Sequence, residues 1–292
     1  MNIYFINICL DWIYNLYKDY IFGLKSILEK YQQINKIQVL YIPLQENSLD
    51  IFFKEYNIIK NKQNYKIILC GEISKVCSII LKENIENDPN LYFLNIEQMS
   101  NPSYYKYFRE LPNTLKIIDY SEENMPYFKD IYKNTFLLPP YFNSIQNQKT
   151  IDILSLKNNE YRESILTNLK FRKKYETFYF TNIYDETRDI LYSKSKVYLN
   201  LHCSDNHKTM ELIRMINLLS KNVIILTQNS IHKDLIFIKD SFIIFEKVEE
   251  IPILLEEILN NYNLYYNKIF SNKNIQKYND YIHEKYNTFL QN

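Results

Sequence analysis

The sequence predicts an α/β protein of two successive domains, each with a mostly parallel sheet. Short runs of β-branched and aromatic residues recur along the chain, and each is followed by a helix-length segment with apolar residues at 3.6-residue spacing. That alternation is the pattern of repeated βα units. With 292 residues, of which 46% are hydrophobic, the chain can furnish a core for each of two domains.

The first half alternates predicted strands with predicted helices. The predicted strands are Asn2–Cys9, Ile37–Pro43, Tyr65–Cys70, Leu91–Glu97, Lys116–Tyr120 and Thr135–Leu138. The predicted helices cover residues 11–31, 47–60, 74–85, 101–110 and 122–131. Because the two element types alternate throughout, we expect parallel strand pairing.

A change of pattern after residue 138 marks the predicted domain boundary. Pro139-Pro140 interrupts the alternation, and the amide-rich run over residues 143–150 has little to bury. We therefore place the N-terminal domain at residues 1–143 and the C-terminal domain at residues 144–270. The alternative is a single domain in which this stretch forms one long surface loop.

The second half restarts the alternation and ends in a helical tail. Its predicted strands are Ile151–Leu156, Glu176–Thr181, Lys196–His202, Val223–Thr227 and Phe242–Phe245. Its predicted helices cover residues 160–171, 185–193, 207–220 and 250–268. In the tail, residues 271–292, one side carries Tyr278, Tyr281, Ile282 and Tyr286, so we expect this helix to pack back across the domains.

Composition excludes several classes of protein. A net charge of +1 offers no global field for nucleic acid or an anionic membrane, so no nucleic-acid partner is expected. Two glycines, Gly23 and Gly71, cannot form a P-loop or a G-x-G-x-x-G turn. The four cysteines form no C-x-x-C pair and indicate free thiols in a reducing compartment. Without a signal-peptide pattern or a transmembrane segment of ~20 apolar residues, we expect a cytoplasmic protein.

The segment Val197–Ser230 holds the strongest candidate binding residues. Its predicted strand, polar turn and helix bring Asn200, His202 and Glu211 to one sheet edge, where open α/β sheets bind ligands. Glu211 is a candidate acceptor for a ribose diol, and simple helix stabilisation by its charge is the alternative. Arg214 is a candidate donor to a diphosphate, and an intrahelical ion pair with Glu211 is the alternative.

Arg162 occupies the equivalent turn after the first strand of the second domain, where a solvated arginine is the alternative. No Asp-x-Asp pair occurs, so we expect neither a divalent metal nor any other cofactor. A zinc site at His202 and His207, with Asp205 between them, would lack a third ligand.

Two neighbouring strands of the first domain end in polar side chains, and such strand ends facing a second domain describe an interdomain cleft. The side chains are Asn95, Glu97 and Gln98 after one strand, and Asp119, Ser121 and Asn124 after the next. Ser121 could alternatively cap a helix. All four histidines fall in the second half, so a general base from the first domain must be a carboxylate, and Glu97, Asp119 and Asp11 are the candidates. We assign the catalytic role to Glu97 and Asp119.

Seven short patches between about residues 90 and 230 together resemble GT-B-type glycosyltransferases in their order. They are Asn95-Ile-Glu-Gln98, Asp119-Tyr-Ser121 with Asn124, Leu138-Pro-Pro-Tyr141, Tyr161-Arg162, Arg188-Asp189, Leu199-Asn-Leu-His202 and Glu211-Leu-Ile-Arg214. The resemblance implies two Rossmann-like domains with an interdomain cleft. It further implies a nucleotide-sugar donor held mainly by the second domain and an acceptor approached from the first.

On the family pattern, Glu211 would bind the donor ribose, while Arg162 and Arg214 would lie near the diphosphate. The predicted donor site is completed by Tyr184, Asn200 and His202, and the acceptor side consists of Asn95, Gln98, Ser121 and Asn124. The sequence departs from the pattern in its glycines, since Asp185 rather than Gly follows Tyr184.

The sequence therefore predicts a metal-independent glycosyltransferase that moves a hexose-like group from a nucleotide diphosphate sugar to a hydroxyl acceptor. The acceptor is a glycan, a protein or a small molecule. The alternative is a catalytically inactive GT-B-like protein that recognises carbohydrate or protein. A periplasmic-type solute receptor is a third interpretation, which the missing export signal opposes.

Overall fold

The first strand shows what kind of sheet this sequence forms. Asn2–Cys9 is apolar at almost every position, and all of its residues after Asn2 are buried. A strand buried on both faces needs helices on each side of its sheet, which is the arrangement of parallel α/β sheets. The computed structural model describes residues 1–83, 85–141, 147–169, 174–183, 185–204, 211–230, 238–270 and 273–292.

Within the described residues the chain divides into two compact units. The first comprises Met1–Tyr141 with Ile282–Asn292, and the second comprises Phe142–Tyr281. The predicted boundaries after residues 143 and 270 fall at segments outside the described residues, so the predicted domain limits stay predictions.

The first unit is built on a six-stranded parallel sheet with the order β2-β1-β3-β4-β5-β6. Its strands are β1 Asn2–Cys9, β2 Lys36–Pro43, β3 Tyr65–Gly71, β4 Leu91–Asn95, β5 Lys116–Asp119 and β6 Asn134–Leu137. Its helices are α1 Asp11–Leu28, α2 Ser48–Lys60, α3 Ile73–Glu83, α4 Pro102–Glu110 and α5 Met125–Lys129. The strand order reverses between β1 and β3, and ligands in open α/β sheets bind at such switch points.

Close packing at this switch point requires a glycine. Gly71 ends β3 with φ +139°, and a Cβ atom there would lie 2.2 Å from the carbonyl oxygen of Ile8 in β1. Residues with a side chain rarely adopt that backbone conformation. The glycine therefore lets the two central strands end side by side.

The second unit is built on a five-stranded parallel sheet with the order β11-β10-β9-β7-β8. Its strands are β7 Ile151–Leu156, β8 Thr177–Phe180, β9 Ser195–Asn200, β10 Ile224–Gln228 and β11 Phe242–Phe245. Its helices are α6 Glu160–Asn168, α7 Asp185–Lys194, α8 Leu212–Ser220, α9 Ile251–Asn260 and α10 Tyr262–Phe270. Here the strand order reverses between β7 and β9.

The chain ends in a long helix, α11 (Lys273–Gln291). Its last residues belong to the first unit, where Phe289 packs edge-on against Tyr92 and Phe136. The hydroxyl of Tyr286, fully buried, donates to the carbonyl oxygen of Pro139 at 2.5 Å. The predicted tail is therefore a helix, while its predicted packing across both domains stays a prediction.

The α/β fold class and the parallel pairing are confirmed, whereas several predicted element limits are corrected; β9, for example, ends at Asn200 rather than at His202. The strand predicted to reach Glu97 ends at Asn95, because the Asn95 side chain accepts a hydrogen bond from the Glu97 backbone and turns the chain. The helix predicted over residues 250–268 is two helices, because the backbone of Asn261 leaves helical geometry. Glu211, which the prediction placed within a helix over residues 207–220, precedes α8. None of the described helices is long and apolar enough to cross a membrane.

Candidate functional site: the C-terminal edges of the two sheets

Arg162 is the best-fixed charged residue at the edge of the second sheet. It lies in the first turn of α6, directly after β7, and the side chain of Asn159 caps that helix by accepting from the Arg162 backbone N–H at 2.9 Å. Its guanidinium Nε donates to the carbonyl oxygen of Leu201 at 2.9 Å, and Nη1 donates to Asn158. Arg162 is only 2% exposed. The solvated arginine considered as an alternative is therefore wrong.

Glu211 lies between two arginines at the switch point of this sheet. Its Oε1 is 3.7 Å from Nη2 of Arg162, and its Oε2 pairs with Nη2 of Arg214, three residues further along the chain. The Glu211 side chain is 41% exposed, whereas those of Arg162 and Arg214 are 3% and 18% exposed. The ion pair expected between Glu211 and Arg214 is thus present, but the carboxylate also faces a second guanidinium.

Two largely buried guanidinium groups sharing one carboxylate leave a surplus of positive charge. Burial lowers the pKa of Arg162, as does the nearby Arg214, and Glu211 acts in the opposite direction. Burial also disfavours the charge on Arg214, but Glu211 together with Tyr198 and Tyr192 outweighs burial and holds that pKa above its ordinary value. Arg188, also buried, lies over the ring of Tyr192 beside this cluster. An anion with two or more charges would balance such a site.

A polar network extends the site across β9 and β10. The backbone N–H of His202 donates to Gln228 Oε1 at 2.6 Å, and the His202 ring Nε2 lies 2.9 Å from Ser230 Oγ. The buried Asn200 side chain donates to Thr227 Oγ1 at 3.0 Å. Asn200 thus ties the strand ends together, whereas His202 stays partly exposed.

Gln228 is a residue that sequence reasoning missed. Its amide nitrogen lies 3.3 Å from the Tyr161 hydroxyl, so it links the ends of β9 and β10 to the start of α6. The signal that could have found it is the parallel register, since Thr227 pairs with Asn200 and Gln228 comes next.

The predicted acceptor-side residues form a buried network at the ends of β4 and β5. The Asp119 carboxylate is fully buried and accepts from Asn95 Nδ2 at 2.6 Å, from Asn124 Nδ2 at 3.1 Å and from the Ser121 backbone N–H at 2.8 Å. The Asn95 and Asn124 amides also donate to the carbonyl oxygen of Glu97, at 2.9 and 2.8 Å. This network fixes the turn that carries Glu97.

The remaining first-unit candidates lie on that turn or beside it. Glu97 and Gln98 are partly exposed, so their side chains reach the surface at this edge. Ser121 Oγ accepts from the Glu123 backbone N–H at 3.2 Å, but α5 begins only at Met125, so Ser121 does not occupy the capping position of that helix.

Tyr184 of the predicted donor site lies outside the described residues, and so do Asp205 and His207 of the zinc site considered above. Among the residues that the structure describes, no group of three or more His, Cys, Asp or Glu side chains is placed to hold a metal ion.

Proteins with a similar sequence do not indicate a function for this chain. No family model matches the chain. Two uncharacterized proteins of Acanthamoeba polyphaga mimivirus are each 27% identical to it. One is similar over 85% of this chain and 84% of its own length, and the other over 78% and 70%.

Solved structures resemble the whole chain. T4 phage BGT bound to its UDP-glucose substrate matches with a TM-score of 0.60 at 13% identity, covering 100% of this chain and 99% of that one. A structure described as the DNA modifying enzyme beta-glucosyltransferase matches with a TM-score of 0.59 at the same identity and coverage. Anabaena HepE bound to UDP-glucose matches with a TM-score of 0.58 at 9% identity, covering 99% and 100%. This chain has the GT-B fold.

The predicted resemblance and the two Rossmann-like domains are therefore confirmed at the level of fold. UDP-GlcNAc 2-epimerase from Neisseria meningitidis shares the fold as well, with a TM-score of 0.51 at 10% identity over both whole chains. Because transferases and an epimerase use the same architecture, the reaction has to be argued from the site.

Proposed function

We propose that this protein is a glycosyltransferase that takes its sugar from a nucleotide diphosphate sugar. One observation carries the proposal: the buried Arg162 and the largely buried Arg214 share the half-exposed carboxylate of Glu211 at the switch point between β7 and β9. Carboxylates bind ribose diols in nucleotide sites, and guanidinium groups bind phosphate oxygens in a bidentate manner. We assign the ribose to Glu211 and the diphosphate to Arg162 and Arg214.

Arg162 is suited to this role because its guanidinium is already held in place. The bonds to Leu201 and Asn158 fix its plane, so binding costs little side-chain entropy. Preorganised positive charge stabilises a leaving diphosphate, which is the part a metal ion plays in other sites. We therefore propose a reaction without a metal or other cofactor.

The proposed reaction has one chemical step at the sugar. The acceptor oxygen forms a bond to the anomeric carbon while the bond from that carbon to the diphosphate breaks, and its electron pair leaves with the diphosphate. The acceptor proton passes to a carboxylate of the first unit. We propose Glu97 for that base, because Glu97 is partly exposed.

Asp119 receives a different role from the one first assigned to it. Its carboxylate is fully buried and already accepts three hydrogen bonds, so we propose that it positions Glu97 through Asn95 and Asn124. Gln98 and Ser121 remain proposed acceptor-side residues, and Asn200 and His202 remain proposed for the donor side.

The comparisons support a uridine diphosphate sugar as the donor. T4 phage BGT and Anabaena HepE are described in complex with UDP-glucose, and both resemble this chain over nearly its whole length. We also propose that the protein acts in the cytoplasm, since its four cysteines are all free, as is usual in a reducing compartment.

Calorimetric titration with UDP, GDP and dTDP and their glucose conjugates tests the donor site, and release of nucleotide from the conjugates tests turnover. We expect one nucleotide to bind per chain. We also expect slow release of the nucleoside diphosphate from its glucose conjugate in the presence of a metal chelator. Absence of binding to all of them at millimolar concentration would contradict the proposal. Binding without any turnover would favour the inactive binding protein instead.

A further inference from the structure

The C-terminal edge of the first sheet is strongly acidic. We define this edge as the residues between each of β1 to β5 and the fourth residue of the following helix, namely residues 10–14, 44–51, 72–76, 96–105 and 120–128. It carries one cation, Lys75, and the carboxylates of Asp11, Glu46, Asp50, Glu72, Glu97, Glu122 and Glu123. Every one of these carboxylate residues is partly or fully exposed. This charge contrasts with the net +1 of the whole chain.

An ordered aromatic and acidic group lies at the switch point of the same edge. Trp12, the only tryptophan in the chain, is in the first turn of α1 and is 52% exposed. The neighbouring Asp11 carboxylate accepts a hydrogen bond from the Tyr41 hydroxyl. The ring of Tyr41 stacks on Tyr14, with centroids 4.3 Å apart and planes at 10°. The carboxylate of Asp11 is thus held in place, and the next residue carries an exposed indole ring.

Resting on the proposed transferase function, we infer that the acceptor is a hydroxyl-bearing basic polypeptide segment that binds Trp12 beside Asp11. The face of tryptophan attracts ammonium and guanidinium groups more strongly than the face of any other aromatic side chain does. A surrounding edge of one sign steers the opposite charge toward it and repels its own.

The inference separates this protein from one of its structural neighbours. A neighbour is described as a DNA modifying enzyme, and proteins that bind DNA neutralise its phosphates with Lys and Arg. The acidic edge of this chain would meet those phosphates with seven carboxylates and one lysine. A polyanionic acceptor is therefore disfavoured at this site, although the fold is shared.

Trp12 also provides the test, because its fluorescence reports on this edge alone. We would titrate the full chain with a lysine–serine repeat peptide, a short DNA duplex carrying hydroxymethyl groups on its bases, and maltopentaose. We expect saturable quenching by the peptide, weaker binding as salt is added, and no effect of the duplex. Equal or tighter binding of the duplex or of maltopentaose, or no response to the peptide at millimolar concentration, would overturn the inference.

Charge-reversal variants test whether the carboxylates of this edge bind the peptide. Glu46→Lys combined with Asp50→Lys should weaken peptide binding by about tenfold at low salt, since each reversal removes an attractive charge and adds a repulsive one. Glu110→Lys combined with Asp130→Lys is the matched control, because Glu110 ends α4 and Asp130 follows α5, so both lie at the opposite edge of the sheet. An equal loss in the control would show that general charge, not this edge, binds the peptide.

Peptide binding to the first unit and nucleotide binding to the second unit can be measured separately. Calorimetry with UDP-glucose on the same preparation reports the second unit, whereas Trp12 belongs to the first. Nucleotide binding with no peptide binding would refute only the inference, and the reverse result would refute only the proposed donor site.

Discussion

Glu211→Gln changes the one group that is proposed to recognise the ribose, and it keeps the side-chain size. Each Glu211 oxygen engages one arginine, and each retains a lone-pair direction for a ribose hydroxyl. Glutamine keeps one acceptor oxygen, so the variant loses one charge-assisted hydrogen bond. At 41% exposure we take the low end of the usual range, about 1.5 kcal/mol, which corresponds to about tenfold weaker UDP binding.

A pair of ligands makes this prediction specific. The wild-type protein should bind 2′,3′-dideoxy-UDP about a hundredfold more weakly than UDP, because both hydrogen bonds are lost, whereas the variant should show only about a tenfold difference. Pyrophosphate serves as the control ligand and should not bind the variant more weakly, since a negative charge beside the arginines has been removed. Isothermal titration calorimetry measures all of these affinities. A dideoxy penalty that is equal in both proteins would refute the ribose assignment.

Three further predictions concern the rest of the molecule. Gly71→Ala should destabilise the fold by more than about 2 kcal/mol in urea melts, because its Cβ would lie 2.2 Å from Ile8. The matched control Gly23→Ala, in open space on α1, should stabilise by up to about 1 kcal/mol, and equal effects would contradict the packing argument. Burial and Lys116 lower the pKa of Lys66 to about 8. Between that pH and the ordinary value of 10.5 the unfolded chain holds a proton that the native state has released, so this group's contribution to stability rises with pH there. In urea melts Lys66→Met should reduce the rise without abolishing it, because burial and Lys221 also lower the pKa of Lys149 to about 8. Ellman's reagent at mildly alkaline pH should react first with the partly exposed Cys203 in the native protein, because burial raises the pKa of Cys9, Cys70 and Cys77 more than that of Cys203. Simultaneous reaction of all four thiols would contradict this prediction.

Most of the secondary structure could be predicted from the sequence because apolar residues alternate between strand-like runs and helical spacing. β1, β7 and β11 begin and end where the sequence predicted, and β7 and β11 are short apolar runs bounded by polar residues. The break at Asn261 was missed because apolar residues continue at helical spacing on both sides of it. A pattern of side chains does not report the backbone angles of a single residue.

The site was only partly predictable because burial and cross-strand contacts depend on strand order. Arg162 and Glu211 were identified from their places after strands, but their proximity requires β7 and β9 to be neighbours, which no local pattern indicates. Gln228 was missed because the register between β9 and β10 cannot be read from the sequence. For the same reason Asp119 was predicted as a candidate base, although the Asp119 carboxylate is fully buried. Sequence reasoning thus found the polar strand ends but could not separate groups that face a ligand from groups that hold the chain.

A crystal soaked with UDP measures the central claim most directly, because it reports where the nucleotide lies. We predict a nucleotide at the switch point of the second sheet, with its ribose hydroxyls on Glu211 and its diphosphate on Arg162 and Arg214. A ribose beyond hydrogen-bond distance of Glu211, or a nucleotide bound elsewhere on the chain, would contradict the account.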